Sequence, residues 1–349
     1  MSKIKHILVI RLSAMGDVAM TVPVLRAFSL QHPETKITVV SRPFFKPFFD
    51  GISNVEFFGV DLNKRHKGFL GLTRLYSDLK KLKIDAVADL HNVLRSKVVR
   101  TFFALSGKKV AATDKGRVAK KALTRLENKI LKPVKAIIER HCSTFEKLGF
   151  PIDLTNPQFP EKAILSEEIT AITGDKSKNW IGIAPFAQYE GKVYPIDLMQ
   201  KVIDELAKNQ NQTIFLFGGG EKEIHLLNQL QNQQANVIVL AGKLKFKQEL
   251  EVISNLDVML SMDSGNAHIA AMLGVKVITL WGATHPYAGF KPFNQPDAFC
   301  LTSDREKFPL LPTSIYGNKK VAGYEDVMRT ISVEKVVKTI GQQLSNSSK

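Results

Sequence analysis

The most constraining feature of this sequence is a repeated alternation of short apolar runs with longer segments of helical periodicity. The runs are rich in β-branched residues and cover residues 5–11, 36–41, 84–89, 180–185, 213–217, 236–240, 257–261 and 275–281. Strands that alternate with helices at such intervals favour parallel sheets covered by helices on both faces. The pattern therefore predicts an α/β fold of doubly wound sheets, in which ligands bind beyond the carboxyl ends of the strands.

One stretch interrupts this alternation and divides the chain. Pro151, Pro157 and Pro160 fall within residues 149–166 and disfavour regular structure there. A chain of 349 residues is long enough for two domains of ordinary size. We therefore expect an N-terminal domain, a linker, a C-terminal domain and a terminal helix, over residues 1–155, 156–177, 178–330 and 331–349.

The charge of the chain points to an anionic partner. Its 49 Lys and Arg residues give a formal net charge of +16, and eleven basic residues lie between Lys108 and Arg140. For any single lysine, a solvated surface position is the more ordinary interpretation. For so many on one domain, a surface that faces an anionic partner (nucleic acid, an anionic membrane or a phosphorylated substrate) is at least as well supported as a solvated face.

The sequence lacks the marks of a membrane-spanning or disulfide-stabilised protein. No apolar stretch approaches the ~20 residues that a transmembrane helix needs, and residues 1–5 lead into a strand without the apolar core of a signal peptide. Cys142 and Cys300 have no metal-ligand spacing, so we expect two free thiols. These features predict a soluble cytoplasmic protein.

The turn RLSAMGDVAM at residues 11–20 follows the first predicted strand and has the form of an anion site. A helix that begins after a strand presents free N–H groups, which suit a phosphate. This turn instead carries a carboxylate, Asp17, which competes with an anion for the same positive field. Asp17 either serves a different chemical purpose or only caps the helix.

A second turn of this type, SMDSGNAH, lies at residues 261–268. The backbone N–H groups of Ser264 and Gly265 are free at the start of a helix and can bind a phosphate, and His268, one turn on, could reach the same anion. The alternative is that Asp263 or Ser264 only caps the helix. This stretch by itself favours neither interpretation.

Two further loops carry charged candidates. Lys192 follows the predicted strand 180–185, where a lysine can act as a point charge for a phosphate or can simply be solvated. The glycine-rich turn at 218–220 lacks the spacing of a dinucleotide site and precedes Glu221 and Glu223. Either acid could bind a ribose diol, or both could suit the helix dipole.

Taken together, these features resemble glycosyltransferase family 9, the bacterial ADP-heptose:lipopolysaccharide heptosyltransferases. The resemblance spans nearly the whole chain and rests on the order and spacing of several motifs. These are Arg11-x-Ser13-x-Met15-Gly16-Asp17, Gly191-Lys192-x-x-Pro195, the glycine-rich turn before Glu221 and Glu223, Ser261-x-Asp263-Ser264-Gly265-x-x-His268, and Leu280-Trp281-Gly282-x-Thr284-x-Pro286.

The resemblance implies a glycosyltransferase B architecture of two Rossmann-like domains that face each other across a cleft. The N-terminal domain would bind the acceptor and the C-terminal domain the nucleotide-sugar, with the terminal helix crossing back to the first domain. Asp17 would be the general base for the acceptor hydroxyl, in a transfer with inversion. Lys192 and the amides of Ser264 and Gly265 would stabilise the leaving diphosphate.

The resemblance also implies the remaining contacts to the donor. Asp263 would bind hydroxyls of the transferred sugar, and His268 would approach the phosphates. Glu223, with Glu221 as the alternative, would bind the ribose. Ser13 and Gly16, beside the general base, are expected to contact the donor as well.

The sequence lacks the DxD pair that holds a metal on a nucleotide-sugar, as well as the P-loop, HExxH and GxSxG motifs of other enzyme classes. The charge of a diphosphate would then be met by Lys192, backbone N–H groups and a helix dipole. We therefore expect metal-independent chemistry, with the nucleotide-sugar as substrate and no separate cofactor.

The acceptor implied by the resemblance is an anionic glycolipid, reached through peripheral contact with the inner-membrane surface. The candidate acceptor-binding residues are His91, Arg95, Lys97, Lys64, Arg65 and Arg117. The alternatives are a transferase of the same fold with another donor or acceptor, and a nucleotide-sugar epimerase or hydrolase. A nucleic-acid-binding protein is less well supported, because basic residues are not interleaved with stacking aromatics.

Overall fold

The computed structural model describes residues 4–345, which fold into two compact units. The first unit contains the chain up to Gly116 together with residues 135–159. The second unit contains residues 117–134 and the chain from Pro160 onward. Each unit is built on one parallel sheet with helices packed against it, which confirms the α/β fold class predicted from the sequence.

The first unit holds a five-stranded sheet in the order β3-β2-β1-β4-β5. Its elements are β1 (His6–Ile10), α1 (Met15–Ala19), α2 (Val22–Gln31), β2 (Lys36–Ser41), β3 (Val55–Gly59), α3 (Gly68–Lys80), β4 (Ala86–Asp89), α4 (Leu94–Leu105) and β5 (Lys109–Ala112). The central strand β1 is buried along its whole length because helices cover both faces. The strand order reverses between β1 and β4, so the loops after these two strands form the place where ligands of such sheets bind.

Two helices follow β5, and they belong to different units. They are α5 (Arg117–Thr124) in the second unit and α6 (Ile137–Glu146) in the first. The sequence pattern predicts one domain over residues 1–155. The segment 117–134 instead packs with the second unit, because Leu123 and Val134 bury their side chains beside Ala288.

The second unit holds a six-stranded sheet in the order β11-β10-β9-β6-β7-β8. Its elements after residue 160 are α7 (Glu167–Thr173), β6 (Asn179–Ala184), α8 (Ile196–Ala207), β7 (Gln212–Leu216), α9 (Glu221–Gln231), β8 (Val237–Val239), α10 (Phe246–Ser254), β9 (Val258–Met262), α11 (Gly265–Met272), β10 (Lys276–Trp281), β11 (Cys300–Thr302) and α12 (Val333–Ser345). Here the order reverses between β6 and β9, which places the loops after these strands at the corresponding position.

The terminal helix α12 completes the core of the second unit. Val336, Ile340 and Leu344 lie on one face of it and are buried in the same apolar cluster as Ile203 of α8. The family resemblance implies that this helix crosses back to the first domain, whereas the contacts described for it are to α8, β9 and β10. Residues 346–349 of the predicted helix lie outside the described part of the chain.

Within residues 4–345, no helix has both the length and the apolar character needed to cross a membrane.

Candidate active site

In the first unit, the loop after β1 holds Asp17 against an arginine. Asp17 occupies the third position of α1, and its Oδ2 lies 2.6 Å from Nη2 of Arg11. The Nη1 of Arg11 donates to the carbonyl of Leu90, after β4, at 2.7 Å. Arg11 is buried, while the Asp17 side chain is 30% exposed. Asp17 is therefore a solvent-reachable carboxylate that a buried guanidinium holds in place.

The loop after β4 supplies a histidine to the same region. His91 accepts a hydrogen bond on Nδ1 from the backbone N–H of Leu12, at 3.4 Å. Burial, with the charge of Arg11 as the next cause, lowers the pKa of His91 to about 3. The ring is therefore neutral at pH 7, so it can act in hydrogen bonding but cannot supply the cation that a phosphate or carboxylate on the acceptor would need.

A buried acid shapes this second loop. Asp89, at the end of β4, is fully buried and accepts from the backbone N–H groups of His91 and Asn92 at 3.1 and 2.7 Å. Arg100 of α4 pairs with its other oxygen at 2.9 Å. A carboxylate that is this well bonded fixes the loop, and with it the position of the His91 ring.

The predicted basic acceptor residues differ in their pairing with acids and in the unit to which they belong. Arg95 and Lys97 are exposed in the first turn of α4, and Lys64 is exposed before α3. Arg65 makes a bidentate pair with Asp78 of α3, at 2.8–3.0 Å. Arg117 begins α5 and belongs to the second unit, whereas the other predicted acceptor residues belong to the first.

In the second unit, the loops after β6 and β9 meet in an ion pair. The Nζ of Lys192 lies 2.9 Å from Oδ2 of Asp263, and both side chains are largely buried. Thr284, from the loop after β10, donates to the same oxygen at 2.9 Å. Two residues that the sequence analysis selected separately are thus brought together where the strand order reverses.

The start of α11 adjoins this pair. Ser264 is the N-cap residue, but among residues 4–345 its side chain makes no capping hydrogen bond; its Oγ lies 3.1 Å from Oγ of Ser261. The first-turn N–H groups, beginning with Gly265, therefore keep their donor capacity for an anion. His268, one turn further on, is buried in the same helix.

The two acids that follow the glycine-rich turn after β7 differ in their hydrogen bonding. Glu223 accepts from the backbone N–H of Gly219 at 2.8 Å, so its carboxylate lies over the turn. Glu221 is exposed at the start of α9. Of the two predicted ribose ligands, Glu223 is thus held in place by a hydrogen bond within the turn.

A glycine far along the chain packs on the catalytic candidate Lys192. Gly317 has a φ of +81°, and a Cβ at this position would lie 2.4–2.5 Å from Cγ and Cδ of Lys192. On the other side, the carbonyl of Gly191 accepts from the backbone N–H of Ala283 at 2.8 Å. The aliphatic stem of Lys192 is therefore confined by backbone, which directs its ammonium group to Asp263.

Sequence reasoning did not assign a role to three residues that this geometry singles out. Arg11 and Thr284 lie inside quoted motifs, so their positions could have suggested them. Gly317 lies in no motif, and only its contact with Lys192 identifies it. Within residues 4–345, no group of three or more His, Cys, Asp or Glu side chains is arranged to hold a metal ion.

Two doubly wound α/β units, each with charged residues on the loops where the strand order reverses, match the fold of glycosyltransferases of the B type. Similar solved structures agree with this fold. A family 9 glycosyltransferase from Veillonella parvula superposes with a TM-score of 0.76 at 20% identity, covering 99% of both chains. Escherichia coli heptosyltransferase WaaC, solved with ADP, superposes with a TM-score of 0.66 at 20% identity, over 97% of this chain and 99% of that one.

Sequence comparison identifies the family. Residues 72–313 match the model of glycosyltransferase family 9 (heptosyltransferase). The lipopolysaccharide core heptosyltransferase OpsX of Haemophilus influenzae is 23% identical over 297 residues, 84% of this chain and 83% of that protein. The chain therefore belongs to glycosyltransferase family 9, and it is an enzyme of the transferase class.

Proposed function

We propose that this protein transfers heptose from ADP-heptose to an inner-core acceptor of lipopolysaccharide, with inversion at the anomeric carbon. Family membership supports heptose transfer, and the name of the OpsX relative supports a lipopolysaccharide core acceptor. The fold shared with WaaC, which was solved with ADP, supports ADP as the nucleotide. The observation that carries the proposal is the Lys192–Asp263 pair beside the start of α11.

The second unit would hold the donor. A diphosphate beside α11 meets the N–H groups of Ser264 and Gly265 and the ammonium of Lys192, which together offset the charge that develops on departing ADP. His268 approaches the phosphates from the same helix, and Asp263 binds sugar hydroxyls. These charges act in place of a divalent metal, so turnover is expected to be insensitive to a chelator.

The first unit would supply the general base. Asp17 takes the proton of the acceptor hydroxyl as its oxygen attacks the anomeric carbon and the bond to the diphosphate breaks. The guanidinium of Arg11, 2.6 Å away, stabilises the ionised carboxylate, which is the form that can accept a proton. Ser13 and Gly16 lie in the same turn as this carboxylate and are proposed to contact the donor as well.

The acceptor would lie against basic residues just before α3 and in the first turn of α4. Lys64, Arg95 and Lys97 are exposed and can meet phosphates or carboxylates of an anionic glycolipid. His91 is neutral and contributes a hydrogen bond only. Since such an acceptor is anchored in a bilayer, the enzyme works in the cytoplasm in peripheral contact with the inner-membrane surface.

The direct test is a transfer assay by mass spectrometry, with ADP-heptose and a heptose-deficient lipopolysaccharide core, in buffer with and without EDTA. The expected result is a heptosylated product with release of ADP in both buffers. Release of ADP at the same rate without acceptor would instead favour a hydrolase of the same fold, and conversion of the donor to an isomer without net release of ADP would favour an epimerase.

The donor nucleotide is tested separately by thermal unfolding with ADP, GDP, UDP and their sugars. A true donor at ~100-fold excess over its Kd adds about 2.7 kcal/mol to the free energy of unfolding. Stronger stabilisation by GDP or UDP sugars than by ADP-heptose would overturn the proposed donor.

A further inference from the structure

We propose that residues 117–134 form a docking surface for an anionic phospholipid bilayer. The proposal rests on the proposed glycolipid acceptor, because it names the part of the chain that brings the enzyme to the membrane. It concerns a segment that none of the proposed catalytic steps uses. Three properties of the segment carry it: how it is anchored, what its outer side exposes, and how its charge is distributed.

The segment is anchored firmly on its inner side. Leu123 and Val134 are buried against Ala288. The ammonium of Lys120 lies 4.1 Å from the centre of the Phe290 ring, within the range of a cation–π contact. Since its inner residues are packed in this way, the segment presents a fixed outer side.

A lysine fastens the middle of the segment. The Nζ of Lys129 donates to the carbonyls of Leu123 and Pro312, at 3.0 and 2.8 Å. Burial, with the charge of Arg305 as a second cause, lowers the pKa of Lys129 to about 8. This lysine therefore serves the internal structure of the second unit and does not count among the outward-facing charges.

The outer side exposes large apolar side chains. Val118 is 87% exposed, Leu126 is 56% exposed and Ile130 is 46% exposed. The backbone N–H of Ile130 donates to the carbonyl of Ala122, so the chain folds back along α5 and brings the later part of the segment beside the helix. Three of the eighteen residues of the segment are therefore apolar and exposed, and a surface of this kind is stabilised when a partner removes it from water.

The cations of the segment lie among these apolar residues. Arg117 and Lys121 are spaced four residues apart on one face of α5, Arg125 follows the last residue of the helix, and Lys132 is exposed at the far end of the segment. Glu127 is the one acid in residues 117–134. A surface that alternates cations with aliphatic side chains matches a bilayer of anionic headgroups over acyl chains.

The chemistry of the exposed residues favours a bilayer over nucleic acid. Single-stranded nucleic acid is bound by aromatic side chains on which bases stack, and the exposed apolar residues of this segment are aliphatic. Aliphatic side chains gain free energy by leaving water for the acyl boundary. A bilayer is therefore the proposed partner of this segment. Preferential binding of an oligonucleotide at the same residues would contradict the proposal.

The experiment is co-sedimentation of the full chain with vesicles of phosphatidylcholine alone or mixed with phosphatidylglycerol. We expect binding to the anionic vesicles only, and its loss as salt rises from about 0.1 M to about 1 M, which shortens the Debye length from about 10 Å to about 3 Å. The double variant Lys121→Gln/Lys132→Gln should bind about 30-fold more weakly, at about 1 kcal/mol for each cation. The matched control is Lys201→Gln/Lys247→Gln, two exposed lysines elsewhere on the second unit, which should bind as the wild type does.

A second pair of variants tests the apolar part. Val118→Ser/Leu126→Ser should also reduce binding to anionic vesicles at least tenfold, whereas Ile164→Ser, which alters a 97% exposed side chain outside the segment, should not. Melting curves verify that each variant is folded. Absence of vesicle binding, equal losses in the controls, or preferential binding of an oligonucleotide through Lys121 and Lys132 would each overturn the proposal.

Failure of this inference can be separated from failure of the proposed function. Heptose transfer to a deacylated, water-soluble core acceptor does not need a bilayer, so the docking variants should retain it. If the wild type binds anionic vesicles but does not use the soluble acceptor, the docking surface stands and the proposed reaction fails. If it transfers heptose but does not bind vesicles, the proposed reaction stands and the docking surface fails.

Discussion

Lys192 and Asp263 form a largely buried ion pair, with 2.9 Å between Nζ and Oδ2, across the point where the second sheet reverses its strand order. Each residue follows a different strand, β6 and β9 respectively. A diphosphate that enters this region meets a lysine whose position is already fixed. Under the proposed function, little conformational entropy would therefore be lost when the lysine binds the diphosphate.

Lys192→Ala is expected to weaken ADP binding by about 10- to 100-fold, because a hydrogen bond to a charged group is worth about 1.5–3 kcal/mol. Isothermal titration calorimetry measures the affinity. Lys320→Ala is the control, since Lys320 is exposed and pairs with Glu190 on the surface of the same unit. Equal affinities of Lys192→Ala and the wild type would remove this lysine from the donor site.

Gly317→Ala is expected to reproduce much of the Lys192→Ala defect, because its new Cβ would displace the stem of Lys192. The Lys192→Ala/Gly317→Ala double variant should be no worse than Lys192→Ala alone, since the clashing atoms are gone. Gly323→Ala is a matched control: its φ is +77°, but a Cβ there meets nothing within 4 Å. Additive losses of ADP affinity in the double variant would contradict a positioning role for Gly317.

Asp17→Asn is expected to lower the transfer rate by about 10²- to 10⁴-fold while leaving ADP affinity within a few fold, because the amide keeps the shape but accepts no proton. Single-turnover transfer and calorimetry measure the two quantities. Asp114→Asn removes the charge from another arginine-paired acid of the first unit and should leave the rate unchanged. Near-normal transfer by Asp17→Asn would rule out Asp17 as the base.

Glu223→Gln is expected to reduce the preference for ADP over 2′-deoxy-ADP, whereas Glu221→Gln should leave it nearly unchanged. The reason is that Glu223 is fixed over the turn by the N–H of Gly219, while Glu221 is exposed. Calorimetric titration of both nucleotides into both variants gives the preference. The opposite ranking would assign the ribose to Glu221.

The free energy of unfolding is expected to fall as the pH drops from about 6.5 towards 3. His141 is fully buried, and burial lowers its pKa to about 3, so the unfolded chain takes up this proton first. The contribution of neutral His141 to the free energy of unfolding is complete above pH 6.5. Below that pH it decreases, by at most about 1.4 kcal/mol per pH unit. Urea unfolding at several pH values should show a shallower decline for His141→Gln than for the wild type. The exposed His225→Gln control should match the wild type, and identical slopes in all three proteins would contradict the prediction.

The predicted and observed strands differ in a way that follows from burial. The eight apolar runs coincide with β1, β2, β4, β6, β7, β8, β9 and β10, within about two residues at each end. The three strands that the sequence did not reveal are β3, β5 and β11, each at the edge of a sheet. These three strands are only partly buried, as the charged Glu56 within β3 illustrates, so their apolar signal is weak. The fourth edge strand, β8, has two buried valines, and its apolar run was recognised.

The candidate site likewise has residues that the sequence identifies and contacts that it does not reveal. Asp17, Lys192, Asp263 and Ser264 could be selected from the sequence, because each follows a strand of a doubly wound sheet and lies in a motif of known order. The sequence did not reveal that Lys192 and Asp263 would pair, that Arg11 would hold Asp17, or that Glu223 would bond to its own turn. Side-chain pairing of this kind depends on which strands are neighbours.

The sequence by itself determined the α/β class and the loops that hold the candidate site residues, since both depend on local periodicity and on residue type at strand ends. Only the tertiary structure decided that residues 117–134 join the second unit, that α12 completes its core, and that Gly317 confines Lys192. The physical reason is that these outcomes depend on burial and close contact between segments far apart in the chain. No local pattern of residues encodes such contacts.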